Sequence, residues 1–268
     1  MRTKKIIIPI AIIVVVLIGV GLSIGLSVGL THSLWSDTTG GDTSVAPSIT
    51  TYDWNSYAKY FTYTAYNSSG SVIASGVKSG DTIPQRASYF SVTGLTLETL
   101  LPEIVFPQTV TYKVSSTTYT DAITEVGSTL FSDVTYKAIP TRIVISPSIT
   151  KVRQDAFAGL TNLQSVLICA SSTTDTHGIR FGYHAMGNCT DLKEIKCEGQ
   201  LSVVFTDLVC IGCTSLTTLD KGSCNLFYIQ NIDTNVSTTP ITSSNWTSGA
   251  NYKAKIFSGA PSSLNPFS

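Results

Sequence analysis

The sequence predicts a short, irregular β-rich repeat solenoid preceded by a single transmembrane helix, and three observations carry that prediction. An uncharged apolar run fills residues 6–30, a pattern of apolar and small residues recurs between residues 152 and 219, and a Ser/Thr-rich segment follows the apolar run. The recurrence is the most informative of the three. Val152, Phe157, Leu160, Thr161, Leu163 and Val166 return as Phe181, Met186, Cys189, Thr190, Leu192 and Ile195, and then as Phe205, Cys210, Cys213, Thr214, Leu216 and Leu219. The steps are 29 and 24 residues, and self-similarity at such a period marks stacked units that cannot bury their apolar faces alone.

The N-terminal run spans 25 residues, where about 20 suffice to cross a bilayer as a helix. Two readings compete for it, a retained anchor and a cleaved signal peptide with its cut near Ser27 or Gly29. Length favours the anchor, because the apolar region of a signal peptide runs only about 7 to 15 residues. Arg2, Lys4 and Lys5 precede the span while Asp37 and Asp42 follow it. The positive-inside rule then leaves the N-terminus in the cytoplasm and the rest of the chain outside. Gly21, Gly25 and Gly29 fall at every fourth position, the small-residue spacing that lets two helices approach closely and so form a homodimer. Glycine is also simply common in membrane helices.

Setting aside the three basic residues before the span leaves 14 basic against 17 acidic residues, with no basic run. A nucleic-acid partner would need a lysine- and arginine-rich footprint, so this class is excluded. Residues 31–51 are mostly Thr, Ser, Gly and Asp, a composition that buries too little surface to fold and reads as a flexible stalk.

Residues 52–136 read as a β-rich N-terminal region. Tyr60, Thr62, Thr64 and Tyr66 alternate, Asn67 to Gly70 supply a turn, and residues 72–77 supply a returning strand. The run Ile104-Val-Phe-Pro107 parallels Ile143-Val-Ile-Ser-Pro147. The region is therefore read as a decayed repeat or cap rather than an unrelated domain. Residues 137–221 hold the repeats. Residues 222–268 form a C-terminal cap and tail, because the last coil of a solenoid must meet water on one face.

The segment Val152-Arg-Gln-Asp-Ala-Phe-Ala-Gly-Leu-Thr-Asn-Leu-Gln-Ser-Val-Leu-Ile168 resembles the BspA-type leucine-rich repeat, approximately I-x-x-x-A-F-x-G-C-x-x-L-x-x-I-x-I-P. The second copy keeps Ala185, Cys189 and Leu192 but has Met186 for the aromatic and Gly187-Asn188 for Ala158-Gly159. The third keeps Gly212, Cys213 and Leu216, with Val209-Cys210 for the Ala-Phe pair. The resemblance covers about 80 of the 268 residues. It implies a surface or secreted protein of the kind found in bacteria and protists, with a role in adhesion or contact with host or neighbouring cells.

Within each repeat, residues 163–168, 192–197 and 216–220 suit one strand of a parallel sheet, and residues 155–159 suit the return on the opposite side. Between the apolar positions, Gln164, Ser165, Lys193, Glu194, Thr217 and Thr218 should line one face. That face, or the loop 171–178, is the candidate binding surface for a protein or glycan. An ordinary solvated face is the plain alternative.

Little in the chain points to catalysis or metal chemistry. Cys210 and Cys213 have C-x-x-C spacing, but the repeat register places both on core rungs, where cysteine packs as a small apolar residue. Zinc would need four converging ligands. Cys189 with Cys213, and Cys169 with Cys197, remain open as disulfides between neighbouring coils. His32, His177 and His184 sit in no catalytic signature, and Glu98 and Glu103 stand apart in sequence. No cofactor is expected. The rival functions are an anchored hydrolase built on residues 52–136 and a coat protein packing against its own copies.

Overall fold

Two sheets run along the repeats, and the chain alternates between them once per coil. The computed structural model describes residues 51–96, 101–128, 130–131, 137–172, 177–233 and 238–268. The expected anchor, most of the stalk and the Gly21, Gly25 and Gly29 face lie outside the described residues. Among the described residues, no helix is long and apolar enough to cross a membrane.

A 3-10 helix, Trp54–Tyr60, leads into β1 (Phe61–Tyr66) and β2 (Val72–Val77). These two strands form the antiparallel hairpin expected from the sequence. Its turn is held by the Asn67 side-chain oxygen, which accepts from the backbone N–H of Ser69 and of Ser71. Next come β3 (Tyr89–Leu95), antiparallel to β1, then β4 (Glu103–Val105). The hairpin of β5 (Thr109–Val114) and β6 (Thr117–Val126) follows. The final residues of β6 run parallel to β3 on one side and to the first repeat on the other.

From there the alternation is regular. The elements are β7 (Arg142–Ile145), β8 (Lys151–Val152), β9 (Ser165–Ile168), β10 (Gly178–Phe181), β11 (Glu194–Cys197), β12 (Ser202–Phe205), β13 (Thr218–Asp220) and β14 (Asn225–Tyr228). The first sheet has the order β14-β12-β10-β8-β6-β3-β1-β2. The second sheet is β13-β11-β9-β7-β4. Every pair in the second sheet is parallel, with Ile104, Ile143, Val166, Ile195 and Leu219 in one row. The parallel between the Ile104 and Ile143 segments is thus a direct strand pairing.

Period-two patterning explains why each strand turns the same side inward. In β10, Ile179 and Phe181 are buried; in β12, Val203 and Phe205; in β9, Val166 and Ile168; in β11, Ile195 and Cys197. These side chains meet Leu163, Leu192 and Leu216 in one continuous core. The strands of the second sheet begin two residues later than the sequence suggests. Leu163, Leu192 and Leu216 instead donate their N–H to Leu160, Cys189 and Cys213, closing a turn before the strand starts.

The third side of each coil is a turn bounded by two left-handed residues. The first position is Asp155, His184 and Leu208 in successive coils, and the second is Gly159, Asn188 and Gly212, with φ of 76°, 59° and 71°. Only glycine, or asparagine with its short polar side chain, adopts that conformation cheaply. The departure of Gly187-Asn188 from Ala158-Gly159 therefore preserves the turn. Backbone bonds stack these turns as well: Phe157 and Gly159 donate to Ala185 and Gly187, and Met186 and Asn188 donate to Val209 and Ile211.

The last turn would leave its donors open, and the C-terminal segment closes it. A short β15 (Thr239–Pro240) pairs antiparallel with β14, followed by α1 (Ser243–Trp246) and α2 (Tyr252–Ile256). The carbonyls of Lys255, Ile256 and Ser258 accept from Leu208, Cys210 and Gly212. The end of α2 thus takes the place of a further turn, satisfying donors that would otherwise be buried without partners.

Candidate functional site

The outer face of the second sheet holds all six residues expected to line a binding surface. Ser165, Glu194 and Thr218 are paired in register, and Arg142 and Glu103 extend that row across β7 and β4. Gln164, Lys193 and Thr217 form the adjacent row at the strand entrances. Lys193 and Glu194 both donate to the Gln164 carbonyl, and Thr217 and Thr218 both donate to that of Lys193. Gln164, Lys193, Thr217 and Thr218 are exposed, while Ser165 and Glu194 are half-buried. Inward-facing Leu163, Leu192 and Leu216 hold these rows in place from below.

The face is narrower than the sequence implies. Its next outward row, Val105, Val144 and Leu167, is buried together with Cys169 under Tyr52, Trp54 and Tyr57. This aromatic strap covers the first coils and leaves only Lys196 and Asp220 of that row at the surface. Tyr52 and Trp54 pack with ring centroids 4.9 Å apart. The Tyr52 hydroxyl accepts from the Arg142 guanidinium at 3.5 Å, and Arg142 in turn pairs with Glu103 at 3.5 Å. Burial pushes the Tyr52 hydroxyl up to about 12, against the opposing pull of Arg142. Sequence reasoning missed Arg142 and Glu103 as members of the face. The signal was present in the Ile104 and Ile143 parallel, because the residue before each isoleucine must point outward.

The cysteines are all buried, and all are free thiols. Cys169 lies on the outer side under the strap, whereas Cys197 belongs to the inner core, so a Cys169–Cys197 disulfide is ruled out by the side each one faces. The Cys189 thiol donates to the Phe157 carbonyl and the Cys213 thiol to that of Met186, each reaching one coil back. Burial pushes the Cys169 and Cys210 thiols up. Glu103 is taken by its ion pair, and His184 lies beside Asp155 at 3.6 Å. Among the described residues, no group of three His, Cys, Asp or Glu side chains converges as a metal site would require. His32, Glu98 and residues 173–176 of the loop 171–178 lie outside the described residues.

Two solved structures are similar to part of this chain. Its structural neighbours are leucine-rich proteins. One is a leucine rich cell surface protein from Faecalibacterium prausnitzii, 18% identical, covering 66% of this chain and 43% of its own, with a TM-score of 0.38. The other is a leucine-rich repeat protein from Bacteroides ovatus, 15% identical, covering 51% of this chain and 50% of its own, with a TM-score of 0.26. The chain therefore spans half or less of the length of these relatives. No family model matches the sequence, and no curated protein matches it.

Proposed function

We propose that this chain is a single-pass, membrane-anchored surface protein whose leucine-rich-repeat ectodomain binds a partner protein or a glycan through the outer face of the second sheet. The observation that carries this reading is the pair of outward-facing rows from Gln164, Ser165, Lys193, Glu194, Thr217 and Thr218, four of them exposed and two half-buried. Their backbone is fixed by parallel pairing on both sides of β11. A polar surface on rigid strands contacts a ligand with little ordering cost. The anchor is supported by the 25 uncharged residues 6–30 and the basic residues before them. The same span supplies the Gly21, Gly25 and Gly29 face for pairing two copies in the membrane.

The test displays the full chain on cells and screens it against surface proteins and glycans, then repeats the screen with Lys193→Ala and Glu194→Ala together. Loss of a ligand in the variant is the expected result. Ligands retained at unchanged affinity would place the binding surface elsewhere.

A further inference from the structure

A second polar site forms where the strands of the first sheet end. β8, β10, β12 and β14 are parallel and in register, so each coil delivers the residues after its strand to the same corner. These are Arg153 and Gln154, Gly182 and Tyr183, Thr206, and Gln230 onward. The segment after β14 departs from the repeat. It folds back so that Asp233 reaches across to the first of these coils, bonding Lys151 at 3.0 Å and Arg153 at 2.6 Å. The result is an open cleft of about 430 Å³ between the corner and that wall.

Its lining has a specific chemistry. Tyr183 is 43% exposed, and among the described residues Val72 is the other large apolar side chain left exposed. One face of its ring is stacked on His184, with centroids 4.4 Å apart and planes 8° from parallel. The ring is held by its backbone: His184 is left-handed, and the Tyr183 carbonyl accepts from Asp155. Gly182 permits this placement, because a side-chain carbon there would meet the Gln154 nitrogen at 2.8 Å. The same cleft is lined by Gln154, whose amide nitrogen donates to Asp155 at 3.0 Å, by Gln230, by Asn231, whose amide oxygen accepts from the Asp233 N–H at 2.8 Å, and by Asp233.

The charged groups beside the cleft are tied to one another. Arg153 donates to both Glu125 oxygens, at 2.9 and 3.2 Å, as well as to Asp233, and Lys151 shares the same two acids. A third cation, Arg180, lies beside Lys151 and donates to the Ile232 carbonyl at 3.3 Å, so each cation bordering the cleft is already held by protein groups rather than presented to an anionic ligand. A rigid aromatic plane suits the C–H face of a pyranose ring, while amides and a carboxylate suit its hydroxyl groups as donors and acceptors together.

We propose that this corner cleft binds a neutral saccharide, with Tyr183 as the stacking platform and Asp233, Gln154 and Gln230 as hydroxyl partners. The proposal goes beyond the binding face of the second sheet and stands on different residues. The full chain in detergent or nanodiscs is probed with an array of neutral oligosaccharides and with sialylated counterparts, and affinities are measured by calorimetry. Neutral sugars should bind, with Tyr183→Ala weakening them roughly tenfold or more, and Gln154→Ala less. Both positions are exposed, and unchanged melting temperatures confirm that the variants are folded. The double variant Lys193→Ala, Glu194→Ala should leave the sugar affinity as it was. No neutral sugar bound at millimolar concentration, preference for the sialylated set, or an affinity indifferent to Tyr183→Ala would each overturn the proposal. A sugar lost only with the Lys193 and Glu194 variant would overturn it while upholding the face of the second sheet.

Discussion

Removing one aromatic ring from the core should uncouple the C-terminal cap from the coils. Phe205 is fully buried between Phe181, stacked at 5.8 Å, and Phe257, edge-on at 5.5 Å. Phe205→Ala deletes both contacts and leaves a void that the flanking parallel strands cannot collapse to fill. Phenylalanine-to-alanine changes in such sites cost about 3–5 kcal/mol. The upper half of that range applies, because the ring touches an aromatic on each side. For a folded region of this size, each kcal/mol lowers the melting temperature by about 2–4 °C, so a fall of roughly 8–20 °C is expected. Solenoid stability is a sum of nearest-neighbour terms. Hydrogen exchange should therefore accelerate first at Leu208, Cys210 and Gly212, whose N–H groups are held by the segment that Phe257 anchors. Calorimetry and exchange mass spectrometry read the two effects. A loss below about 1 kcal/mol, or exchange rising equally in β1 and β12, would refute nearest-neighbour coupling through this stack.

Other outcomes follow from the same geometry. Gly212→Ala places a side chain at φ of 71° and against the Asn188 side chain, and should cost about 1–3 kcal/mol in chemical denaturation; Gly249→Ala, also left-handed but with open space around it, should cost less. The thiols should resist iodoacetamide in the native protein at pH 8, and all six should label without reductant once the chain is unfolded; a residual disulfide would show as unlabelled pairs in mass spectrometry. Asp233 is raised by partial burial, but Lys151 and Arg153 outweigh this and hold its carboxyl below the usual range. A depressed folded value contributes stability above the unfolded value near pH 3.9, and that contribution is lost as pH falls through the folded value. Asp233→Asn should thus destabilise at pH 7, and its effect should shrink as pH falls through the folded value, as read by melting temperature.

The repeats were legible because their signal is local and redundant. Val166, Ile195 and Leu219 occupy one register in the sequence and one row in the second sheet. The six candidate face residues follow from that register alone, since whatever precedes an inward strand residue points out. The first sheet was harder to see. Its strands run only two to four residues in the repeats, and Val152, Phe181 and Phe205 look like single rungs until Ile179 and Val203 are paired with them. The strap and the corner cleft were not legible. Both depend on chain that leaves the repeat and folds back over it, as Tyr52 does on Val144 and Asp233 does on Arg153, and no period in the sequence encodes where such a segment lands.

The two departures from the repeat also divide the surface into parts with different prospects as binding sites. On the second sheet, the strap removes the apolar outward row from water, and what faces outward beside it is a polar lattice of Gln, Ser, Lys, Glu and Thr. A flat polar surface gains affinity only when a large partner covers much of it. At the corner, the fold-back builds walls around an exposed ring, and concavity lets a small ligand bury most of its own surface. The two proposed sites therefore differ in the size of ligand they would suit, an extended macromolecule on the sheet and a sugar unit in the cleft. A glycoprotein partner could satisfy both at once, in which case linkage would make the joint affinity exceed either alone by the effective concentration of the second contact. The signature of that arrangement is a measurable one. Free saccharide should compete for the cleft without displacing the partner completely, and full release should require the saccharide together with the Lys193 and Glu194 substitutions.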